Sequence, residues 1–397
     1  MTLRAGKPIR FLLLASAAAL AACGSEAAPG AATKPPTPGL SPVAALGEQL
    51  FRDTTLSVSG RLACETCHRP EFAHAAPPAD VVSRGGAGMD QPGIRNSPSI
   101  RYASFTPAFG YDEEGKPFGG LFRDGRVPSL AAQAEKPFLD VREMANASPA
   151  DVTARLARSP NAARFRAVFG PDALEHPEAA FQQVAAAIAQ YQTENPDFHR
   201  FDSKYDAWLA GKASMSAQEQ RGLALFEDPM KGNCAACHPS RPSDDGRPPL
   251  FTDYTYDNVG VPRNIRLPAN ANALYYDLGL CGPVRRDLAA RREFCGAFKV
   301  PTLRNVARTA PYFHNGAMQS LRDVVEFYVT RDTAPGDWYP QQAGAPHKFD
   351  DLPAGFEAAV NSSEVPYDRK PGERPALTPA DIDDVVAFLK TLDDGYN

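Results

Sequence analysis

Basic clusters are missing from this 397-residue chain, which sets 42 Lys and Arg against 47 Asp and Glu and contains no Lys/Arg-rich run. A surface that follows a phosphate backbone needs such a run, so nucleic-acid binding is set aside. Cysteine is scarce as well: seven are too few to knit a disulfide miniprotein, and each has a chemical assignment below. Strand signals are few, whereas 38 prolines and 30 glycines punctuate long loops. No apolar stretch reaches the length of about 20 residues that a spanning helix requires. What is present is a chain 43% hydrophobic and 22% charged. That is material for one large or two ordinary domains with real cores, and it excludes disorder throughout.

Residues 1–22 carry Arg4, Lys7 and Arg10 and no acid, then an apolar run from Phe11 to Leu20 and small residues to Ala22. This is the pattern of an export signal peptide. The run ends in Leu20-Ala21-Ala22-Cys23, which resembles a bacterial lipobox and makes Cys23 the lipidated first residue of the mature chain. The plainer alternative is a stray thiol in a cleaved leader. No Asp follows Cys23, which by the same resemblance directs the protein to the outer membrane. Residues 23–42, rich in Ala, Pro, Gly, Ser and Thr, read as a flexible tether. Loss of residues 1–22 leaves 39 basic residues against 47 acidic, near −8. The expected product is acidic, lipid-anchored and faces the periplasm.

Cys64-Glu65-Thr66-Cys67-His68 and Cys234-Ala235-Ala236-Cys237-His238 are both C-x-x-C-H. One helical turn presents two thiols to the two vinyl groups of a haem, and the adjacent imidazole of His68 or His238 reaches its iron. Zinc, a redox dithiol or an ordinary disulfide are the competing readings; two copies behind an export signal favour two covalently attached haem c groups.

The chain repeats itself around these motifs. Gly47-Glu48-Gln49-Leu50-Phe51-Arg52-Asp53 matches Gly222-Leu223-Ala224-Leu225-Phe226-Glu227-Asp228; Phe122-Arg123-Asp124-Gly125 through Ser129-Leu130 matches Phe313-His314-Asn315-Gly316 through Ser320-Leu321; and Arg95-Asn96 echoes Arg304-Asn305. Three echoes in one order imply duplication. The expected fold is all-α, two c-type cytochrome domains over residues 43–210 and 211–397, with long loops wrapping two haems. Ser216-x-x-Glu219, Ser320-x-x-Asp323 and Thr378-Pro379-x-Asp381 read as helix caps, and 177–193 and 197–210 as two further helices. Cys281 and Cys295 flank a charged loop, where an oxidising compartment favours a disulfide; two free thiols are the alternative.

Taken with Lys299-Val300-Pro301-Thr302-Leu303-Arg304-Asn305 and Pro311-Tyr312-Phe313-His314-Asn315-Gly316, the two haem motifs resemble the bacterial di-haem cytochrome c peroxidase/MauG family over residues 43–395. The resemblance implies that hydrogen peroxide reacts at the N-terminal haem, with Gln133 and, ten residues on, Glu143 in the distal pocket. Glu143 is the implied general acid/base, since cleaving peroxide requires a group that moves a proton from the near oxygen to the far one. A solvated surface carboxylate is the bland alternative. Cytochrome-oxidising members have a histidine that blocks this iron, but Ala75–Gly93 contains none and Arg84 stands at that spacing. His74 is a substitute distal ligand or, in the favoured reading, a loop histidine.

Fourteen residues after His314, MauG-type members have a tyrosine where the cytochrome c peroxidases have a methionine; here it is Tyr328. Leu321, Val324, Val325 and Tyr328 share one helical stripe, so Tyr328 faces inward. Tyr328 as the second haem's other ligand favours oxidised iron; the alternative is a core tyrosine, with Met318 or His314 on the iron. The resemblance also implies a calcium ion between the haems, held by the Asn96 side chain and the carbonyls of Thr309 and Pro311. One departure stands out: Arg123 precedes Asp124-Gly125-Arg126 where the family has a tryptophan, leaving Phe122 or Tyr102 to carry any hole between the haems.

The implied function is a periplasmic, MauG-like di-haem peroxidase that reduces hydrogen peroxide and oxidises a protein partner, by reaction at aromatic side chains. The Cys281–Cys295 loop, Arg331-Asp332-Thr333 and Trp338-Tyr339-Pro340 resemble a subgroup encoded beside copper-binding partners, in which a partner tryptophan becomes kynurenine. Trp338 packing against its own domain is the plain alternative. Two other functions compete: a peroxide-detoxifying peroxidase fed by small cytochromes, and a non-catalytic electron carrier.

Overall fold

The computed structural model describes Thr2 and residues 36–78 and 81–396, so the expected signal peptide, Cys23 and most of the expected tether lie outside the described residues. The end of that tether departs from expectation. Thr37 donates to Glu48 from its backbone N–H (2.6 Å) and its hydroxyl (2.8 Å), and Ser41 does the same to Glu194 at 2.8 Å each. Two carboxylates satisfying four donors hold this Pro-rich stretch against the protein, where composition alone suggested a free linker.

Helix α1 (Pro42–Arg52) starts at a proline whose missing N–H costs nothing there, with Ser41 accepting from Ala44. Next come α2 (Cys64–Cys67), α3 (Leu130–Leu139), α4 (Pro149–Leu156), α5 (Ala162–Phe169) and α6 (Pro177–Glu194). After α7 (Lys204–Leu209) follow α8 (Ala217–Glu227), α9 (Leu321–Thr330) and α10 (Pro379–Lys390). Capping boxes at Ser216/Glu219 and Thr378/Asp381 open α8 and α10, and Ser320 caps α9. The helix expected over 197–210 is broken: a 3-10 turn at Pro196–Phe198 precedes Phe201 at φ 49°, and α7 starts only after the Ser203 cap.

The fold is mostly helical but not purely so. Among the described residues, four antiparallel ribbons of two-residue strands brace the loops: β1 (Arg84–Gly85) with β2 (Gln91–Pro92), β3 (Gly110–Tyr111) with β4 (Pro117–Phe118), β5 (Tyr256–Asp257) with β6 (Phe298–Lys299), and β7 (Gln341–Gln342) with β8 (Ala345–Pro346).

The first core forms where α1 and α3 pack on α6, burying Leu46, Leu50, Phe51, Phe138, Val184 and Ile188; the second, where α8 and α9 pack on α10, buries Phe226, Phe251, Val325, Ile382 and Phe388. Each buried side chain of this size contributes about 1.5–3 kcal/mol. The aligned glycines Gly47 and Gly222 have the same job in the two cores. A Cβ on Gly47 would lie 1.9 Å from the Ala187 carbonyl oxygen of α6, and one on Gly222 would lie 2.0 Å from that of Asp384 on α10. Only glycine lets these helix axes approach so closely.

Buried, paired arginines tie distant segments together. Arg95 holds Asp277 through Nε (2.6 Å) and Nη2 (2.8 Å) and Asp124 through Nη1 (2.6 Å). Arg304 grips both oxygens of Asp206, and Arg101 reaches Asp197 at 2.7 Å and Asp394 at 3.3 Å. Cys281 and Cys295 are disulfide-bonded with Cα atoms 5.0 Å apart.

Candidate active site

The two C-x-x-C-H motifs turn tightly and alike. The His68 N–H donates to the Cys64 carbonyl at 2.9 Å, and the His238 N–H to that of Cys234 at 2.9 Å. The first is one α-helical turn; the second is a 3-10 turn (Cys234–Ala236) entered through Asn233 at φ 51°. In both, ring Nδ1 is tied to a backbone carbonyl: His68 to His74 (3.1 Å) and His238 to Phe251 (2.7 Å). That bond fixes the tautomer and leaves Nε2 for a metal. Burial pushes the His68 imidazole down to about 4, so it stays neutral, as an iron ligand must.

None of the four motif cysteines is disulfide-bonded. Burial pushes Cys64, Cys234 and Cys237 each up to about 12, well away from the thiolate state that a redox dithiol needs. Among the described residues no group of three or more His, Cys, Asp or Glu is placed to hold a metal ion, so a closed four-ligand zinc site lacks its donors. Thiols, a neutral imidazole and a large cavity suit haem c.

The first cavity, about 690 Å³, is lined by Cys64, Cys67, His68, Arg84, Gln133 and Glu143. Gln133 sits one turn into α3, behind the Ser129 cap. Glu143 lies in the turn that follows α3, where its N–H donates to Asp140 (3.0 Å) and its carbonyl accepts from Gly86 (2.8 Å). Gly85 permits this, since a Cβ there would meet the Arg142 carbonyl oxygen at 2.3 Å. The Glu143 side chain is accessible by surface area and lines this cavity. Burial, then the Asp140 carboxylate, push its carboxyl up to about 7, with Arg126 opposing. A carboxyl that titrates near neutrality can both take and return a proton.

His74 is no distal ligand. It is buried, stacks on Phe198 with centroids 4.3 Å apart, and binds Asp197 through Nε2 at 2.6 Å. Burial alone would raise the Asp197 carboxyl, but hydrogen bonds from His74 and Arg101 outweigh it and hold it well below the usual range. Arg84 lines the cavity and reaches the Asp90 carbonyl at 3.4 Å.

The second cavity, about 280 Å³, is lined by Cys234, Cys237, His238, His314, Tyr328 and Tyr367 among others. Met318 is not in its wall; it packs with Phe327 and Tyr339. His314 lies flat on Phe298, ring centroids 3.8 Å apart, with Nε2 3.8 Å from Asp351. Tyr328 stands 5.9 Å from the rings of both Phe313 and Tyr367, and burial, then Asp257, push its phenol well above the usual range. Tyr367, under the Arg331 guanidinium at 4.3 Å, was not legible in the sequence, because it lies in a turn with no helical stripe to mark it. The same holds for the His74 and Phe251 carbonyls that orient the two imidazoles.

The expected calcium donors do not fit an ion as the chain is arranged. Asn96, Thr309 and Pro311 all line the second cavity, but the Asn96 side-chain oxygen accepts from Arg123 Nη2 at 2.9 Å and its backbone carbonyl from Arg123 Nε at 3.1 Å. Calcium takes six to eight oxygen ligands, waters among them, and here a guanidinium already holds the one side-chain donor. Of the rings offered as substitutes for the missing tryptophan, Tyr102 donates its hydroxyl to Asp394 at 2.7 Å and Phe122 lies 3.5 Å under Arg126. Arg331, Asp332 and Thr333 are buried, with Arg331 capping the carbonyls of Val259 and Asn361, and Trp338 meets Phe327 edge-on and donates to Thr330. These segments are packed into the body of the protein.

A family model described as di-haem cytochrome c peroxidase matches residues 41–214. The methylamine utilization protein MauG of Paracoccus denitrificans is 37% identical over 361 residues, covering 89% of this chain and 88% of that protein. Among solved structures, the diheme peroxidase BthA from Burkholderia thailandensis superposes with a TM-score of 0.82 at 38% identity, covering 90% of this chain and 87% of that one. A MauG-like protein associated with microbial copper homeostasis gives a TM-score of 0.63 at 29% identity, covering 91% and 93%. With two haem-attachment turns, each opening on its own cavity, and likenesses that run nearly end to end, this chain belongs to the di-haem cytochrome c peroxidase/MauG family and is a haem peroxidase with two haem c groups.

Proposed function

We propose that this peroxidase is of MauG-like type: it reduces hydrogen peroxide at the Cys64/Cys67/His68 site and draws the electrons from a partner protein, at aromatic side chains. The observation that carries this reading is the wall of the second cavity, where Tyr328 is present and Met318 is not. Tyr328 and His238 are the proposed ligands of the second haem. A phenolate oxygen there disfavours reduced iron, which suits storage of an oxidising equivalent better than uptake of electrons from small cytochromes.

When bound, haem c supplies the redox chemistry that splits the peroxide O–O bond and accepts the partner's electrons. The chain supplies the rest. Glu143 takes a proton from the near oxygen of peroxide and returns it to the far oxygen, which leaves as water. Gln133, beside it in the cavity wall, holds the peroxide by hydrogen bonding. The absence of histidine from Ala75–Gly93 leaves this face of the site accessible without prior reduction.

The halves 43–210 and 211–397 are proposed to be duplicated cytochrome domains, a reading supported by the matching glycine crossings at Gly47 and Gly222. Export, lipid attachment at Cys23 and residence in the periplasm, at the outer membrane, complete the proposal; the Cys281–Cys295 disulfide suits that compartment. Calcium has no part in it. The likeness to a MauG-like protein associated with copper homeostasis makes a copper-linked partner the first to test.

The test is optical and electron paramagnetic resonance spectroscopy of the resting ferric protein, followed by peroxide with no reductant. The expected result is one high-spin and one low-spin haem without a methionine signature, and an immediate reaction with peroxide. A methionine-ligated haem, with no reaction until an electron is supplied, would return the protein to the cytochrome-fed peroxidases.

A further inference from the structure

We propose that the Arg123 guanidinium is the fixed positive charge between the two haem sites, standing where family resemblance puts a calcium ion, so that this enzyme assembles and works without calcium.

Arg123 and Asn96 each line both cavities, which places the pair in the wall between them. Two guanidinium nitrogens grip one residue: Nη2 donates to Asn96 Oδ1 (2.9 Å) and Nε to the Asn96 carbonyl (3.1 Å). A planar fork with fixed donors suits this two-point grip. The arginine is itself held, because its carbonyl accepts from the Lys299 N–H of β6 at 2.8 Å. Asn96 is held too, its N–H donating to the His314 carbonyl at 2.8 Å.

Charge is the second argument. Asn96 Oδ1 and the Thr309 and Pro311 carbonyls are neutral, so an ion bound there would bring two positive charges against a guanidinium already in contact with the same oxygen. Arg123 forms no ion pair among the described residues. Asp277, the acid that acts on it, is already gripped by two nitrogens of Arg95. The wall therefore holds a cation without any metal.

The repeat supplies an independent observation. Arg95-Asn96 echoes Arg304-Asn305, and Asn305 Oδ1 likewise accepts from a guanidinium, that of Arg101 at 3.3 Å, while its amide donates to Asp394 at 2.6 Å. Both copies of the motif thus present their amide oxygen to an arginine.

The inference rests on the di-haem reading, and one sample separates the two. Holoprotein is dialysed against calcium-containing buffer, passed through a desalting column, and measured for haem by pyridine haemochrome and for calcium by mass spectrometry. Two haems and no retained calcium, with resting spectra unchanged by a chelator, is the expected result. Two haems with one calcium per chain, and spectra that change on chelation, overturns the proposal alone; no haem overturns the di-haem reading and the proposal with it. In Arg123→Ala, freeing Asn96 Oδ1 should create a site and bring calcium to one per chain, which Asn96→Ala in the same background abolishes. An Arg123→Ala holoprotein that stays calcium-free counts against the proposal, and if that variant fails to fold, the wild-type measurement still decides.

Discussion

Replacing Glu143 by Gln keeps the shape of the side chain and removes its ability to carry a proton. General acid–base groups contribute about 10²–10⁴-fold, so the second-order rate of the resting protein with peroxide should fall by that factor. The wild-type pH profile carries the finer test. The carboxylate form is the one that accepts the first proton, and burial beside Asp140 pushes this carboxyl up to about 7. The wild-type rate should therefore climb tenfold per pH unit below that value and level off above it. Two units below the midpoint only about 1% of the group is ionised, so the rate should be about a hundredfold lower there. Glu143→Gln should be slow and flat across the same range. Stopped-flow absorbance at the Soret band measures both. A variant within about threefold of wild type, with the pH dependence intact, would show that another group moves the proton.

Two further changes test the frame that holds the site. Gly47→Ala or Gly222→Ala drives a Cβ to 1.9 or 2.0 Å from a backbone oxygen, with no flexible side chain to yield; each should cost about 3 kcal/mol or more, read as a lowered unfolding midpoint by circular dichroism, and an unchanged midpoint would refute the close crossing. Asp206→Asn removes the partner of Arg304, whose side chain is 0% exposed, and should cost about 3–5 kcal/mol. By contrast Glu114→Gln, which breaks the exposed pair with Lys116, should leave the unfolding midpoint unchanged; equal losses in the two would refute the burial argument.

What was legible in the sequence was local. The C-x-x-C-H turns, the caps at Ser216, Ser320 and Thr378, and the inward stripe ending at Tyr328 are short-range patterns whose periods follow from backbone geometry. What was not legible depends on partners far along the chain. Arg95 meets Asp277 across 182 residues, and nothing near either one announces the other. The helix expected over 197–210 failed for a related reason: the apolar spacing continues, but Phe201 takes a left-handed φ and its N–H donates to the hydroxyl of Tyr102, 99 residues away. Arg123 was noticed for the tryptophan it replaces and not for the asparagine it holds.

The wall of Asn96, Pro98, Arg123, Lys299 and Thr302 faces both cavities, and this bears on how the enzyme is put together. A cofactor seated on one side orders the surface against which the other must seat, and the reverse holds by the same free-energy linkage. A substitution in this partition is therefore expected to disturb both haem sites at once, where one elsewhere in either wall should disturb only its own.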